Sequence, residues 1–249
     1  FYETLRYFKR KIELQPNITL KLNHLVTLDE LNQAEFDEVI IASGVTPRQL
    51  DIEGVDHPKV LSYIDVLKDR VPVGQRVAII GAGGIGFDTA EYLSHAGESA
   101  SLNTDKFYDE WGIDTSYAHV GGLKEPVLER SEREIYLLQR KANSVGAGLG
   151  KTTGWIHRTG LKHRNVNMIP GVSYEKIDDQ GLHILINGQP KLLEVDHIVI
   201  CAGQEPFTAM YQQLQSAGKT VHLIGGALEA GELDAKRAIR QGAELAAKI

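Results

Sequence analysis

Gly81-Ala82-Gly83-Gly84-Ile85-Gly86 lies directly behind the apolar run Arg76-Val77-Ala78-Ile79-Ile80 and opens a helical pattern that runs to Ala96. Few arrangements suit that order. With G-x-G-x-x-G spacing between a buried strand and a helix, the first glycine permits a tight turn and the second lets the backbone approach a pyrophosphate. The third lets helix and strand pack closely. The helix N-terminus adds unpaired N–H groups and positive potential. Ala90, one turn further on, is small enough for close strand contact. The spacing predicts an α/β unit that seats dinucleotide phosphates, with Gly81, Gly83, Gly84 and Gly86 as cofactor-binding residues. The competing reading is a glycine-rich turn without a ligand, which the strand and helix on either side argue against.

The residue ending the second strand of such a unit discriminates between the two nicotinamide coenzymes, because an acid there bonds a ribose hydroxyl and repels a 2′-phosphate. The next convincing buried strand is Glu134-Ile135-Tyr136-Leu137-Leu138-Gln139, and it runs into Arg140-Lys141 with no acid. A guanidinium beside an ammonium suits a phosphate dianion. NADP(H) is therefore expected, held at Arg140 and Lys141, although both could also be a solvated strand end. Gly86, where some NADP sites carry Ala, points mildly the other way.

Gly146-Ala147-Gly148-Leu149-Gly150-Lys151-Thr152-Thr153 imitates a P-loop but has Val145 where that motif needs its first glycine. A β-branched residue does not readily adopt φ > 0. The stretch reads instead as a glycine-rich rim over the dinucleotide, with Lys151 a further candidate charge. His157-Arg158 and Lys162-His163-Arg164 read as a solvated basic helix edge. Cys201, the single cysteine, excludes an internal disulfide and an iron–sulfur cluster. At the end of an apolar strand it reads as an inert core residue. No residues have metal-ligand spacing, and no catalytic residue is distinguished.

The chain has 249 residues, 42% of them apolar, enough for a real core, and a formal charge of -6 argues against a nucleic-acid partner. No apolar run reaches the roughly 18 residues that span a bilayer, so no membrane partner is expected and the protein reads as soluble and cytoplasmic. Residues 75–203 form the predicted dinucleotide unit, with an insertion at 97–133. After a helix near 155–162 and a strand at 166–169, alternation over 172–195 around Asp178-Asp179-Gln180-Gly181 and Asn187-Gly188 predicts a β-meander. His197 to Cys201 closes the unit. Residues 45–74, punctuated by Pro47, Gly54, Pro58, Pro72 and Gly74, read as a connection with a short helix near 64–67. Ahead of it come a helix over 3–14 and strands at 18–22 and 36–42. Behind the unit lie an apolar run at 220–226 and a helix over 234–248. Phe1 runs straight into a helical pattern, which suggests a fragment.

Several long words are more specific than the glycine motif: Val77 to Ala90, Glu110-Trp111-Gly112-Ile113-Asp114, Gly148 to Arg158, and Ile200-Cys201-Ala202-Gly203-Gln204-Glu205-Pro206. Through them nearly the whole chain resembles the C-terminal portion of the bacterial NADPH-dependent 2,4-dienoyl-CoA reductases. The resemblance implies a Rossmann-like, glutathione-reductase-like two-dinucleotide architecture. In it the NADP domain is complete and the FAD domain is partial, formed by residues 1–44 and 204–249. It also implies a missing N-terminal barrel partner carrying FMN and a 4Fe–4S cluster, in an enzyme that assists fatty-acid β-oxidation. Gly203 joins the candidate cofactor residues. Gly44, after Ala42-Ser43, would return the chain toward FAD, and Gly225-Gly226 stands where such reductases carry Gly-Asp against the flavin's ribityl chain. NADPH would pass hydride to FAD, and electrons would travel on to the barrel, so the chain alone would be inactive. Two other readings stay open: part of a sister flavoprotein acting on another enoate or an amine, and a non-catalytic NADPH-binding module.

Overall fold

A computed structural model describes residues 2–95, 97–231 and 234–249; Phe1 and Ala96, the expected end of the helix behind the glycine turn, lie outside the described residues. The chain divides into a unit of residues 46–205 and a unit of residues 1–45 with 206–249.

In the 46–205 unit, five parallel strands form a sheet in the order Val60–Ser62, His197–Ile200, Arg76–Ile80, Glu134–Leu138, Asn167–Ile169. Ile79 stands opposite Leu137 on one side and Val199 on the other. The strands read as continuous apolar runs because both faces are covered. Alternate residues serve opposite faces. Val77 and Ile79 pack with Phe87, Ala90 and Leu93 of the helix Gly84–Ser94 and with Leu161 of the helix Gly154–His163. Ala78 and Ile80 pack against Val172, Ile177, Leu182 and Ile184 of a three-stranded antiparallel meander, Val172–Asp178, Gly181–Ile186 and Gln189–Leu193. This central layer brings the carboxyl ends of the strands to one edge, which is where the glycine turn emerges.

Of residues 45–74, expected as a connection, 46–74 belong to this unit. Their breakers separate short elements within it. Val60–Ser62 adds an edge strand to the sheet, and Ser62 with Asp65 forms a reciprocal capping box on the helix Tyr63–Leu67. The Glu53 carbonyl accepts from the Ile177 amide at 2.8 Å, fastening the segment to the meander. A three-residue strand carries too little alternation to be read from sequence.

Residues 97–133, expected as an insertion, hold the short helix Thr104–Glu110 and two single turns, Ala100–Leu102 and Val120–Gly122. Buried Asp114 organises it. Its carboxylate accepts from the Ser116 amide and hydroxyl at 2.9 and 2.6 Å and from the His119 amide and Nδ1 at 2.9 Å each. These donors, the Ser116 hydroxyl foremost, hold its pKa well below the carboxylate range. The folded value lies below the unfolded one, so these bonds stabilise the loop fully above about pH 4 and lose their effect on further acidification. Asp114→Asn is expected to speed amide exchange over residues 114–119 at pH 7 and to flatten its acid dependence. Exchange identical to wild type would show that Asp114 does not hold the loop.

In the other unit Val39–Ile41 pairs in parallel with Val221–Leu223, joining the two ends of the chain. The strand expected at 18–22 does not form: Ile18, Leu20 and Leu22 are 47%, 53% and 73% exposed, and these residues join no ladder. A period of two makes a strand only where a neighbour offers hydrogen bonds. The helices Leu28–Gln33 and Tyr211–Ser216 were not evident in the sequence; Thr27 caps the first by accepting from the Glu30 amide. The helices Tyr2–Glu13 and Ala235–Ala246 bury no residue. Among the described residues no helix is long and apolar enough to cross a membrane.

Candidate functional site

An open cavity of about 570 Å³ lies at the carboxyl edge of the five-stranded sheet, lined by Gly81, Ala82, Gly83 and Gly84 together with Gln139, Arg140, Lys141 and Gly203. Successive parallel strands deliver these residues. The turn follows Arg76–Ile80, the basic pair follows Glu134–Leu138, and Gly203 follows His197–Ile200. The crevice outside the carboxyl ends of parallel strands is where open α/β sheets take ligands.

The glycines divide into two kinds. Gly81 has φ +107°, and a Cβ there would stand 2.6 Å from the Cys201 carbonyl; one on Gly86 would stand 1.8 Å from the Gly81 carbonyl. These two shape the turn, which explains Gly86 whatever the coenzyme. Gly83 and Gly84 face open space instead, so their missing side chains leave backbone uncovered. Gly83 caps the helix Gly84–Ser94 without a side-chain acceptor, and the first turn contains no acid. The opening amides of that helix therefore still need an acceptor.

Arg140 and Lys141 are exposed at the rim. Tyr174 of the meander lines the same cavity; burial pushes its hydroxyl up to about 12, against the pull of the Arg140 charge. Arg48 is a lining residue that sequence reasoning missed. Its amide donates to the Gly203 carbonyl at 3.2 Å, and its guanidinium lies 3.6 Å from the Glu205 carboxylate. The available signal was modest: Arg48 is a cation shortly ahead of Asp51, Glu53 and Asp56 in a stretch read as a connection. Three cations thus surround an uncovered helix start, an arrangement suited to a polyanion.

Ala147, Gly148 and Leu149 line the cavity, while Lys151 does not. Val145 is buried, and a Cβ on Gly146 would meet the Phe87 ring at 2.6 Å. The segment is packed onto the helix below it. Cys201 is buried and its thiol donates to Thr89 Oγ1 at 3.5 Å; burial pushes it up to about 11, so it is not a thiolate at neutral pH. Arg164 departs from the expected solvated edge, being buried and paired with Glu110 at 2.9 Å. No group of three or more His, Cys, Asp or Glu among the described residues is placed to hold a metal ion.

Gly44, Gly225 and Gly226 are not part of this cavity. They lie in the other unit, beyond the carboxyl ends of the paired strands Val39–Ile41 and Val221–Leu223. Gly44 has φ +78° and Gly225 φ +61°, and the Gly225 amide donates to Gln241 Oε1 at 2.7 Å.

Residues 4–226 match the pyridine nucleotide-disulphide oxidoreductase family. Among curated proteins, the chain is 28% identical to a metal reductase of Desulforamulus reducens over 81% of its length. It is 26% identical to a cinnamate reductase of Clostridium sporogenes over 84%. Among solved structures, a 2-naphthoyl-CoA reductase in complex with 2-naphthoyl-CoA covers the whole chain with a TM-score of 0.75 at 25% identity. The chain spans 29%, 26% and 32% of the lengths of these three proteins.

Proposed function

As the chain belongs to the pyridine nucleotide-disulphide oxidoreductase family, we propose that it is the coenzyme-binding part of an NADPH-dependent flavin oxidoreductase that reduces a conjugated acyl thioester of the 2,4-dienoyl-CoA kind. One observation carries the reading: a single cavity gathers the Gly81–Gly84 backbone, the start of an uncovered helix, and Arg140 with Lys141. In this reading the helix start and the Gly83 and Gly84 backbone bind the pyrophosphate. Arg140 and Lys141 bind the 2′-phosphate, and Gly203 and Ala202 leave room for the dinucleotide beyond the closing strand.

FAD, which the family implies, fits the 1–45 and 206–249 unit only in part. Gly44 and Gly225 reverse the backbone beyond two paired strands, but Gly226 offers no carboxylate, and the described residues there include no glycine-rich phosphate turn. Bound together, NADPH would donate hydride and FAD would accept it; the residues of this chain supply position and charge. The acyl thioester, FMN and a 4Fe–4S cluster belong, on this proposal, to a barrel in a longer parent. The likeness to a cinnamate reductase and a 2-naphthoyl-CoA reductase supports a conjugated acid derivative as substrate. A sister oxidoreductase is the second reading, favoured by the likeness to a metal reductase.

The chain at confirmed mass is expected to bind NADPH yet to reduce no 2,4-dienoyl-CoA, whereas a parent carrying it with the barrel consumes NADPH and dienoyl absorbance together. Reduction by the chain alone would place the acyl chemistry inside it and refute the assignment. A parent active only on other acceptors would select the sister reading.

A further inference from the structure

The backbone of Gln139 is locked between neighbouring segments: its amide donates to the Ile169 carbonyl at 2.9 Å and its carbonyl accepts from the Val172 amide at 3.0 Å. Its side chain reaches over the loop that follows. Nε2 lies 2.9 Å from the Lys141 carbonyl, 2.8 Å from the Asn143 carbonyl and 3.0 Å from Asn143 Oδ1, while Oε1 accepts from the Gly146 amide at 3.4 Å. An amide has two hydrogens to share among those three acceptors, and the carbonyl oxygen remains for the Gly146 donor. One side chain therefore closes residues 139–146 into a ring. Arg140 and Lys141, the two cations on the cavity rim, stand inside it.

We propose that Gln139 is a positioning residue for coenzyme choice: by cross-linking the 140–146 loop it holds Arg140 and Lys141 where a 2′-phosphate binds. This rests on the NADPH reading above. Gln139 stands where a carboxylate would select NADH, and it does more than lack that charge. No other common side chain of that length has both donors and an acceptor. A carboxylate would turn acceptor oxygens toward the Lys141 and Asn143 carbonyls, and a thioether would leave both Asn143 acceptors without the Gln139 donor and the Lys141 carbonyl with the Gly171 amide, at 3.1 Å, alone. Released from the ring, the two cations would lose more rotational freedom on gripping a phosphate, at a cost in affinity. That cost falls on the ligand that uses them.

The test is a titration of the whole chain with NADPH and with NADH, using Gln139→Met, which removes the cross-links without adding charge. NADPH binding is expected to weaken about tenfold and NADH binding by less than about threefold. In an Arg140→Ala/Lys141→Ala background the same substitution is expected to change NADPH binding little, because Gln139 acts through those residues. Equal weakening of both coenzymes would make Gln139 merely structural and overturn the proposal, as would an unchanged preference. Should Gln139→Met fail to fold, amide exchange on the wild-type chain decides. The Gly146 amide, which donates to Gln139 Oε1, must be protected in the free chain, and exchange at the unprotected rate overturns the proposal. If wild type shows no preference for NADPH, the underlying reading falls too. If the Arg140/Lys141 double substitution abolishes the preference and Gln139→Met does not, only the present inference falls.

Discussion

Gly83→Val is expected to leave the chain folded and to weaken NADPH and NADH together by about a hundredfold or more, while Gly86→Val is expected to damage the fold itself. The two positions are three residues apart in one turn, and the structure separates their duties. Gly83 has φ -84° and ψ -171°, an extended conformation open to any residue, and a Cβ there meets nothing within 4 Å. The valine would project into the cavity, costing about 1 kcal/mol at a helix cap. It would cover the backbone that both coenzymes share, forfeiting two charge-assisted bonds of roughly 1.5–3 kcal/mol each. At Gly86 the added carbon would stand 1.8 Å from the Gly81 carbonyl and 3.5 Å from Leu137 Cδ1. The helix must then move off the sheet, at about 3 kcal/mol or more. Thermal melting beside coenzyme titration checks both: a stable Gly83→Val chain that binds normally would show that the pyrophosphate does not lie over the turn.

The elements that could be read from sequence are those whose local chemistry admits one outcome. Arg76–Ile80 and the glycine turn are an example, and so is the hairpin at Asn187-Gly188, where the structure has φ +52° and +78° as the paired turn requires. Glu134–Leu138 was legible for the same reason as its neighbour, being apolar on both faces. What escaped depends on distant partners. Val60–Ser62 is a strand only because His197–Ile200 runs beside it, and the alternating Ile18, Leu20 and Leu22 are not one because no ladder receives them. The same holds for the site. The glycines and the basic pair stand out along the chain, whereas Arg48 reaches the cavity through a bond to Gly203, on a segment that looked like a linker. For Gln139 the sequence showed an absent acid; its grip on the loop appears only once residues 140–146 fold back over it.

Arg140→Ala is expected to weaken NADPH binding about tenfold or more and to leave NADH nearly unchanged. A charge-assisted bond to a phosphate contributes roughly 1.5–3 kcal/mol, and a guanidinium can grip two oxygens at once. Lys141→Ala should act in the same direction with a smaller effect, since an ammonium binds as a point charge. Both side chains are exposed beyond the end of Glu134–Leu138, so neither truncation disturbs the core and the change in binding can be read as a change in the site. Screening gives a second signature. Added salt should erode the preference for NADPH in the wild-type chain and have little left to erode in the double variant.

Parallel titrations of NADPH and NADH against wild type and the Arg140→Ala/Lys141→Ala chain measure whether the basic pair holds the 2′-phosphate. Wild type is expected to prefer NADPH markedly, and that preference to collapse in the double variant with NADH affinity held. A preference that survives the loss of both cations, or a wild-type chain that binds neither coenzyme, would contradict that assignment.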